Sequence, residues 1–321
     1  MKKIIFSDQK DFSFSSAERL FNFRTAIIVG ACRSGKTSLG TLIGSCEFVD
    51  NIEEPWTAKI ITLISGLKII PEGLGKEILL NFITEVCNET TLFRTQSFRP
   101  TDMSSIWSQK SNKEIIERLT KYESRKDVQD YINKNNPLYL LNLTEVQSFL
   151  DLLLKTMKGT KLINVIRNGH EVAHDCMHKG WFSNNQLEKP IKALPYKKYN
   201  YNGVLFHIPW WVSSDEEELF IKYNEYERCL YYWCQTLEPS LKKIEDLNRE
   251  GKCKNITYLQ LISDTRSIFS EICDYLDIVP TFKSNEIIEK LSSRERNKIY
   301  QEKVDFNLKE RVNHLNEYYE L

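Results

Sequence analysis

Residues 25–37 read Thr25-Ala26-Ile27-Ile28-Val29-Gly30-Ala31-Cys32-Arg33-Ser34-Gly35-Lys36-Thr37, and this stretch decides how the rest of the chain is read. The β-branched, apolar run 25–29 stops at Gly30, the pattern of a strand buried on both faces of a parallel sheet. A glycine-bounded turn follows, and residues 37–46 continue as a helix of small residues. Gly30, Gly35, Lys36 and Thr37 satisfy G-x-x-x-x-G-K-[ST] in the setting that gives this pattern meaning, after a strand and opening a helix. Backbone N–H groups in such a turn converge on phosphate oxygens, and the helix N-terminus adds about half a positive charge. Glycines let the main chain approach the ligand closely. Arg33 and Lys36 add a forked and a mobile cation, while Thr37 and Ser38 add hydroxyls.

Such a loop does not choose between nucleotide hydrolysis, phosphoryl transfer and sulfuryl transfer. The first two also call for an acid at the end of a second strand to hold magnesium. Residues 138–143 and 161–166 read as strands, but they run into Thr144-Glu145 and Arg167. That leaves Asp50, at the end of a short strand expected over 47–50, as the acid available.

Outward from the loop the chain predicts an α/β fold, with a P-loop-type parallel sheet flanked by helices. Residues 58–88 carry helical spacing with a break at 71–75. A helical insertion is expected over about 90–136, a helix over 144–158 capped by Thr144, and another over 169–179. Residues 181–214 read as an aromatic-rich lid loop. A long amphipathic helix is expected over 215–250, opened by a Ser214/Glu217 capping box. A last strand over 256–259, a helix over 265–276 and a helical, charged tail over about 281–321 complete a single domain spanning 1–321.

The 44 lysines and arginines balance 44 acids, giving a formal net charge of zero. A nucleic-acid coat or a polybasic membrane binder needs an excess of positive charge, so an anionic ligand must be held locally. The apolar runs are too short to span a bilayer, and the opening Met-Lys-Lys-Ile-Ile-Phe lacks a signal-peptide apolar region. Eight cysteines without a Cys-x-x-Cys pair read as reduced, mostly buried thiols, as in a cytoplasmic protein.

Arg167-Asn168-Gly169 sets a guanidinium at the carboxyl end of a strand, beside a helix start, where α/β sheets bind ligands. Two anion cradles on one sheet edge suit a nucleotide with phosphates at both ends. At this point the chain resembles the sulfotransferases that use 3′-phosphoadenosine 5′-phosphosulfate. Many bacterial members carry a G-x-x-R-S-G-T-T-type loop, matched by Gly30, Arg33, Ser34, Gly35 and Thr37. They also carry R-D-G-R-D-V-A-x-S followed by G-W. Here the segment is Arg167-Asn168-Gly169-His170-Glu171-Val172-Ala173-His174-Asp175, with Gly180-Trp181 beyond. Tyr258-Leu259-Gln260-Leu261 with Asp264 is similar to a third family segment. Lys36 departs from the family's threonine and Asp175 from its serine.

The resemblance implies that Arg33, Ser34, Gly35, Lys36, Thr37 and Ser38 hold the 5′-phosphosulfate. Arg167, with Asp175 at the expected position, would meet the 3′-phosphate. It also implies release of adenosine 3′,5′-bisphosphate, no metal, and a small-molecule or sugar-like acceptor presenting a hydroxyl or amine. Lys36 would help neutralise the leaving phosphate, and Glu54, after the second strand, would be the general base. Glu53 stands in reserve, and His207 is a fallback base or a packed histidine. Trp210 and Trp211, in a stretch that also holds Tyr196, Tyr199, Tyr201 and Phe206, either stack on the acceptor or pack on the sheet.

His170-Glu171-Val172-Ala173-His174 is also a literal H-E-x-x-H, the zinc-hydrolase pattern, with Glu188 or His207 as a conceivable third ligand. The readings that stand on sequence are a sulfotransferase, a P-loop kinase or NTPase, a zinc hydrolase, and a nucleotide-binding module without catalysis.

Overall fold

The computed structural model of the chain describes residues 23–122, 124–191, 194–294 and 303–321. The opening segment, where the absence of a signal peptide is expected, lies outside the described residues. Seven strands follow in chain order: β1 (Arg24–Val29), β2 (Val49–Glu53), β3 (Leu138–Asn142), β4 (Lys161–Ile166), β5 (Tyr196–Tyr201), β6 (Val204–Pro209) and β7 (Cys253–Thr257). Five of them make a parallel sheet in the order β2-β3-β1-β4-β7, as the strand–helix alternation predicts.

The period of two along β1 explains the layering. Ala26 and Ile28 face one way, into a core with Leu39, Leu42, Phe269 and Ile272. Ile27 and Val29 face the other, into a core with Ile61, Leu79, Ile83 and Leu153. These four side chains are fully buried, and burial of Ile27, Ile28 and Val29 contributes about 1.5–3 kcal/mol each. A third core forms where the helix Glu225–Leu237 packs on the helix Gly169–His178, centred on Tyr231, Tyr232 and Trp233. Glu53 pairs with Asn142 and Ile166 with Thr257, so the carboxyl ends of the strands share one edge, with Gly30 and Arg167 following β1 and β4.

Several boundaries differ from expectation. The second strand runs to Glu53 rather than stopping at Asp50, because Val49–Glu53 pairs with β3 along its whole length. The helix expected from Thr144 begins only at Leu150, after a 3₁₀ turn over Gln147–Phe149. Glu145 holds a left-handed backbone (φ 62), which no helical turn accommodates. The lid loop contains an antiparallel hairpin, β5–β6, turned by Asn202 (φ 51) and Gly203 (φ 81). An Asn-Gly turn between two strand-like runs is its sequence signal.

The long helix over 215–250 breaks into Glu217–Lys222, Glu225–Leu237 and Leu241–Arg249. Asn224 starts a new capping box with Glu227, and Pro239 forces a 3₁₀ turn. The capping box expected at Ser214/Glu217 does not form, since that helix starts at Glu217 without a side-chain cap. The strand expected over 256–259 ends at Thr257, which instead caps the helix Tyr258–Ser263. Among the described residues all eight cysteines are free, and no helix is long and apolar enough to cross a membrane.

Candidate active site

The loop after β1 is shaped by close approaches. Gly30 sits at φ 152, where a Cβ would come within 2.3 Å of the Val165 carbonyl oxygen. Gly35, at φ 101, would drive a Cβ to 2.4 Å from the Tyr258 ring. The helix Lys36–Gly44 starts at once and has no side-chain cap, so its first N–H groups are left to the loop hollow. Lys36 is buried and donates to the Ala31 carbonyl at 2.6 Å. Burial lowers its pKa from the usual 10.5, against the pull of Cys32, Glu54, Glu53 and Glu145. The Cys32 thiol is pushed up to about 11 by burial and then by Glu145. A nucleophilic thiolate is therefore not what this loop offers.

The loop opens onto a cleft of about 1110 Å³. Arg33, Gly35, Lys36, Thr37 and Ser38 line it, as do Glu54, Arg167 and Asp175. Ser34 does not; its hydroxyl is buried beneath the loop without a hydrogen-bond partner. The register of β2 separates the two adjacent acids. Glu53, at the strand end, accepts from Thr37 Oγ1 at 2.6 Å and from Asn142 Nδ2 at 3.1 Å. Burial raises its pKa, with Thr37 and Asn142 opposing. Glu53 thus ties the loop helix to the sheet and does not line the cleft.

Glu54, one residue on, adopts a left-handed backbone (φ 41) that turns it onto the cleft wall. It is exposed, and Thr144 Oγ1 lies 3.5 Å from its Oε1. The cleft also holds an ion pair that sequence reasoning missed, Lys59 Nζ to Glu145 Oε2 at 2.7 Å. Both side chains are nearly buried, and Lys59 Nζ stands 4.9 Å from the Trp56 ring centroid. Arg294, also missed, reaches from the C-terminal region to donate to Ser38 Oγ at 2.8 Å. Its place in the charged tail was the signal the sequence offered.

Arg167 is the node of the far end. Its Nε donates to Glu171 at 2.8 Å, and its Nη1 donates both to the Arg33 carbonyl at 2.8 Å and to Asp175 at 2.7 Å. The guanidinium lies 4.7 Å from the Tyr258 ring centroid, and Trp233 Nε1 fixes the Arg167 carbonyl at 3.0 Å. Arg33 Nε approaches Asp175 to 3.9 Å.

The side chains of H-E-x-x-H have partners within the fold. Glu171 is committed to Arg167, His170 Nδ1 pairs with the Tyr226 hydroxyl at 2.8 Å, and His174 Nε2 meets His178 Nε2 at 3.0 Å. Among the described residues no three metal-ligating side chains converge. Asp50, the candidate magnesium acid, is buried and doubly bonded to Arg118 at 2.7 and 2.8 Å, away from the cleft.

The acceptor-side expectations fare differently from the loop. His207 is buried on β6, with Nδ1 3.3 Å from the Leu187 carbonyl and its ring against Tyr196. Trp210 packs on Phe149, and Trp211 packs among Phe182, Phe220 and Tyr232. None of the three lines the cleft. His207 and Trp211 back a wall whose inner surface comes from the preceding segment, including Trp181, Phe182, Leu187, Pro190 and Ile191.

The donor set facing the cleft fits a polyanion at the loop end, with Arg33, Lys36, Arg167 and Arg294 all on its wall. Trp181, Phe182, Leu187, Pro190 and Ile191 add apolar lining, and Glu54, Glu145 and Asp175 are the cleft's acids. No protein-family model and no curated protein sequence matches the chain. Among solved structures it is similar to the sulfotransferase domain of the olefin synthase from Synechococcus PCC 7002. The identity is 12%, with 92% of this chain and 95% of that one covered and a TM-score of 0.44. A sulfotransferase domain from the curacin biosynthetic pathway is 10% identical over 92% of this chain and 98% of that one, with a TM-score of 0.46. A sulfotransferase from Mycobacterium avium is 10% identical over 95% of this chain and 78% of that one, with a TM-score of 0.45.

Proposed function

We propose that the protein is a sulfotransferase that moves a sulfuryl group from 3′-phosphoadenosine 5′-phosphosulfate to a hydroxyl or amine of a small-molecule acceptor. The observation that carries this reading is the shared cleft: the phosphate loop, Arg167 and Glu54 all line one cavity large enough for a nucleotide and an acceptor together. The donor would bring an activated sulfuryl group on its 5′-phosphate. The loop N–H groups, Arg33 and Thr37 would hold the 5′-phosphate oxygens, and Arg167 would serve the 3′ side.

Lys36 would leave the Ala31 carbonyl for an anionic oxygen and stabilise the charge that develops there. Glu54 Oε would take the proton of the acceptor, since it is exposed on the cleft wall with Thr144 Oγ1 3.5 Å away. The wall from Trp181 to Ile191 supports an acceptor with an apolar surface beside the reacting group. The eight free thiols support a reducing compartment such as the cytoplasm.

One observation favours a second reading, nucleotide phosphoryl transfer. Thr37 Oγ1 and Glu53 Oε1 stand 2.6 Å apart beside Lys36, a hydroxyl–carboxylate pair of the kind that holds magnesium in P-loop enzymes. Thermal unfolding separates the two. Adenosine 3′,5′-bisphosphate at 100 times its Kd should stabilise the fold by about 2.7 kcal/mol without magnesium. Stabilisation by ATP with magnesium alone would overturn the sulfotransferase reading in favour of the second.

A further inference from the structure

The second anion seat carries an anion of its own. Asp175 Oδ2 lies 2.7 Å from Arg167 Nη1 and 3.9 Å from Arg33 Nε. Glu171 and Asp175 stand four residues apart on the helix Gly169–His178, one turn, so both carboxylates reach the same guanidinium. Two arginines and two acids leave this cluster formally neutral. The members are not equivalent, however. Arg33, Arg167 and Asp175 line the main cleft, whereas Glu171 is buried and does not. The other Nη1 contact of Arg167 is the Arg33 carbonyl. An incoming phosphate that bonds this edge of Arg167 therefore meets the carboxylate already bonded there, and like charges at that distance repel.

We propose that Asp175 is a built-in competitor for the ligand's second phosphate, and so the residue that sets how strongly this chain discriminates between a nucleotide 3′,5′-bisphosphate and a 5′-monophosphate. The inference rests on the nucleotide reading of the cleft given above. The loop after β1 carries the affinity common to both nucleotides, and whatever Asp175 does to its Arg33 acts on both nucleotides alike and cancels in their ratio.

Calorimetric titration of the full chain with adenosine 3′,5′-bisphosphate and with adenosine 5′-monophosphate tests it, using wild type, Asp175→Asn and Asp175→Ser. The ratio of the two affinities isolates the second seat from any general change in charge or fold. Both variants should raise that ratio in favour of the bisphosphate by about ten-fold, equivalent to about 1.4 kcal/mol. Bisphosphate binding with an unchanged or lowered ratio in both variants overturns the inference and leaves the donor reading standing. Absence of bisphosphate binding in wild type and both variants overturns the two together.

Discussion

Replacing Arg167 with methionine separates two roles that the structure gives to one side chain. The guanidinium is 7% exposed and its partner Glu171 only 3% exposed, while Asp175 retains Arg33 as a second cation. Removing the charge takes from the buried Glu171 the cation it is paired with, a change that typically costs about 3–5 kcal/mol. The Arg33 carbonyl also loses a donor, about 1 kcal/mol more at most. Arg167→Met/Glu171→Gln removes the uncompensated half of the ion pair as well and should recover most of the stability.

Ligand binding should not recover with it. A charge-assisted contact contributes about 1.5–3 kcal/mol. Because Asp175 already shares this guanidinium, the lower end applies, about ten-fold in affinity. Equilibrium urea unfolding reads the first effect. Titration with adenosine 3′,5′-bisphosphate against adenosine 5′-monophosphate reads the second. Two results would refute the reasoning: a loss of less than about 1 kcal/mol in Arg167→Met, which denies the buried-charge argument, or full bisphosphate affinity in the double variant.

Two further outcomes bear on the paired acids. Glu54→Gln should lower turnover about 100- to 10,000-fold in steady-state sulfation while nucleotide affinity stays within a few-fold, and near-wild-type turnover would remove Glu54 as the base. Glu53, by contrast, has a pKa raised by burial, so the folded state binds its proton more tightly than the unfolded chain does. Its contribution is complete below the usual carboxylate range and is lost as pH rises through the raised value. Glu53→Gln should therefore gain on wild type as pH climbs from 4 towards 7, measured by urea unfolding at each pH. The opposite trend would show that the Thr37 and Asn142 hydrogen bonds outweigh burial.

Consecutive residues determined much of this protein. The strand, glycine turn and helix from Arg24 to Gly44 are encoded within one short stretch, as are β4 and Arg167 at its end, because φ-permissive glycines, β-branched runs and helix starts act locally. The Asn202-Gly203 turn is an equally local signal, but residues 181–214 read as a loop and its hairpin emerged only in the structure. What tertiary structure decided lies between distant residues. The pairing of β2 with β3 across nearly ninety positions set Glu53 on Thr37 and Asn142 and sent Glu54 to the cleft. No spacing rule distinguishes two neighbouring glutamates whose faces depend on a register fixed elsewhere.

The same holds for Lys59 with Glu145, 86 positions apart, and for Arg294 with Ser38, 256 apart. Asp50 reads as a strand-end acid until Arg118 reaches it from the helix Asn112–Lys121, and H-E-x-x-H reads as a metal motif until Arg167 and Tyr226 claim its members. A charged side chain taken out of water must find a partner, and the sequence names its charge without naming the partner, which is whichever group the packed helices bring within hydrogen-bond reach.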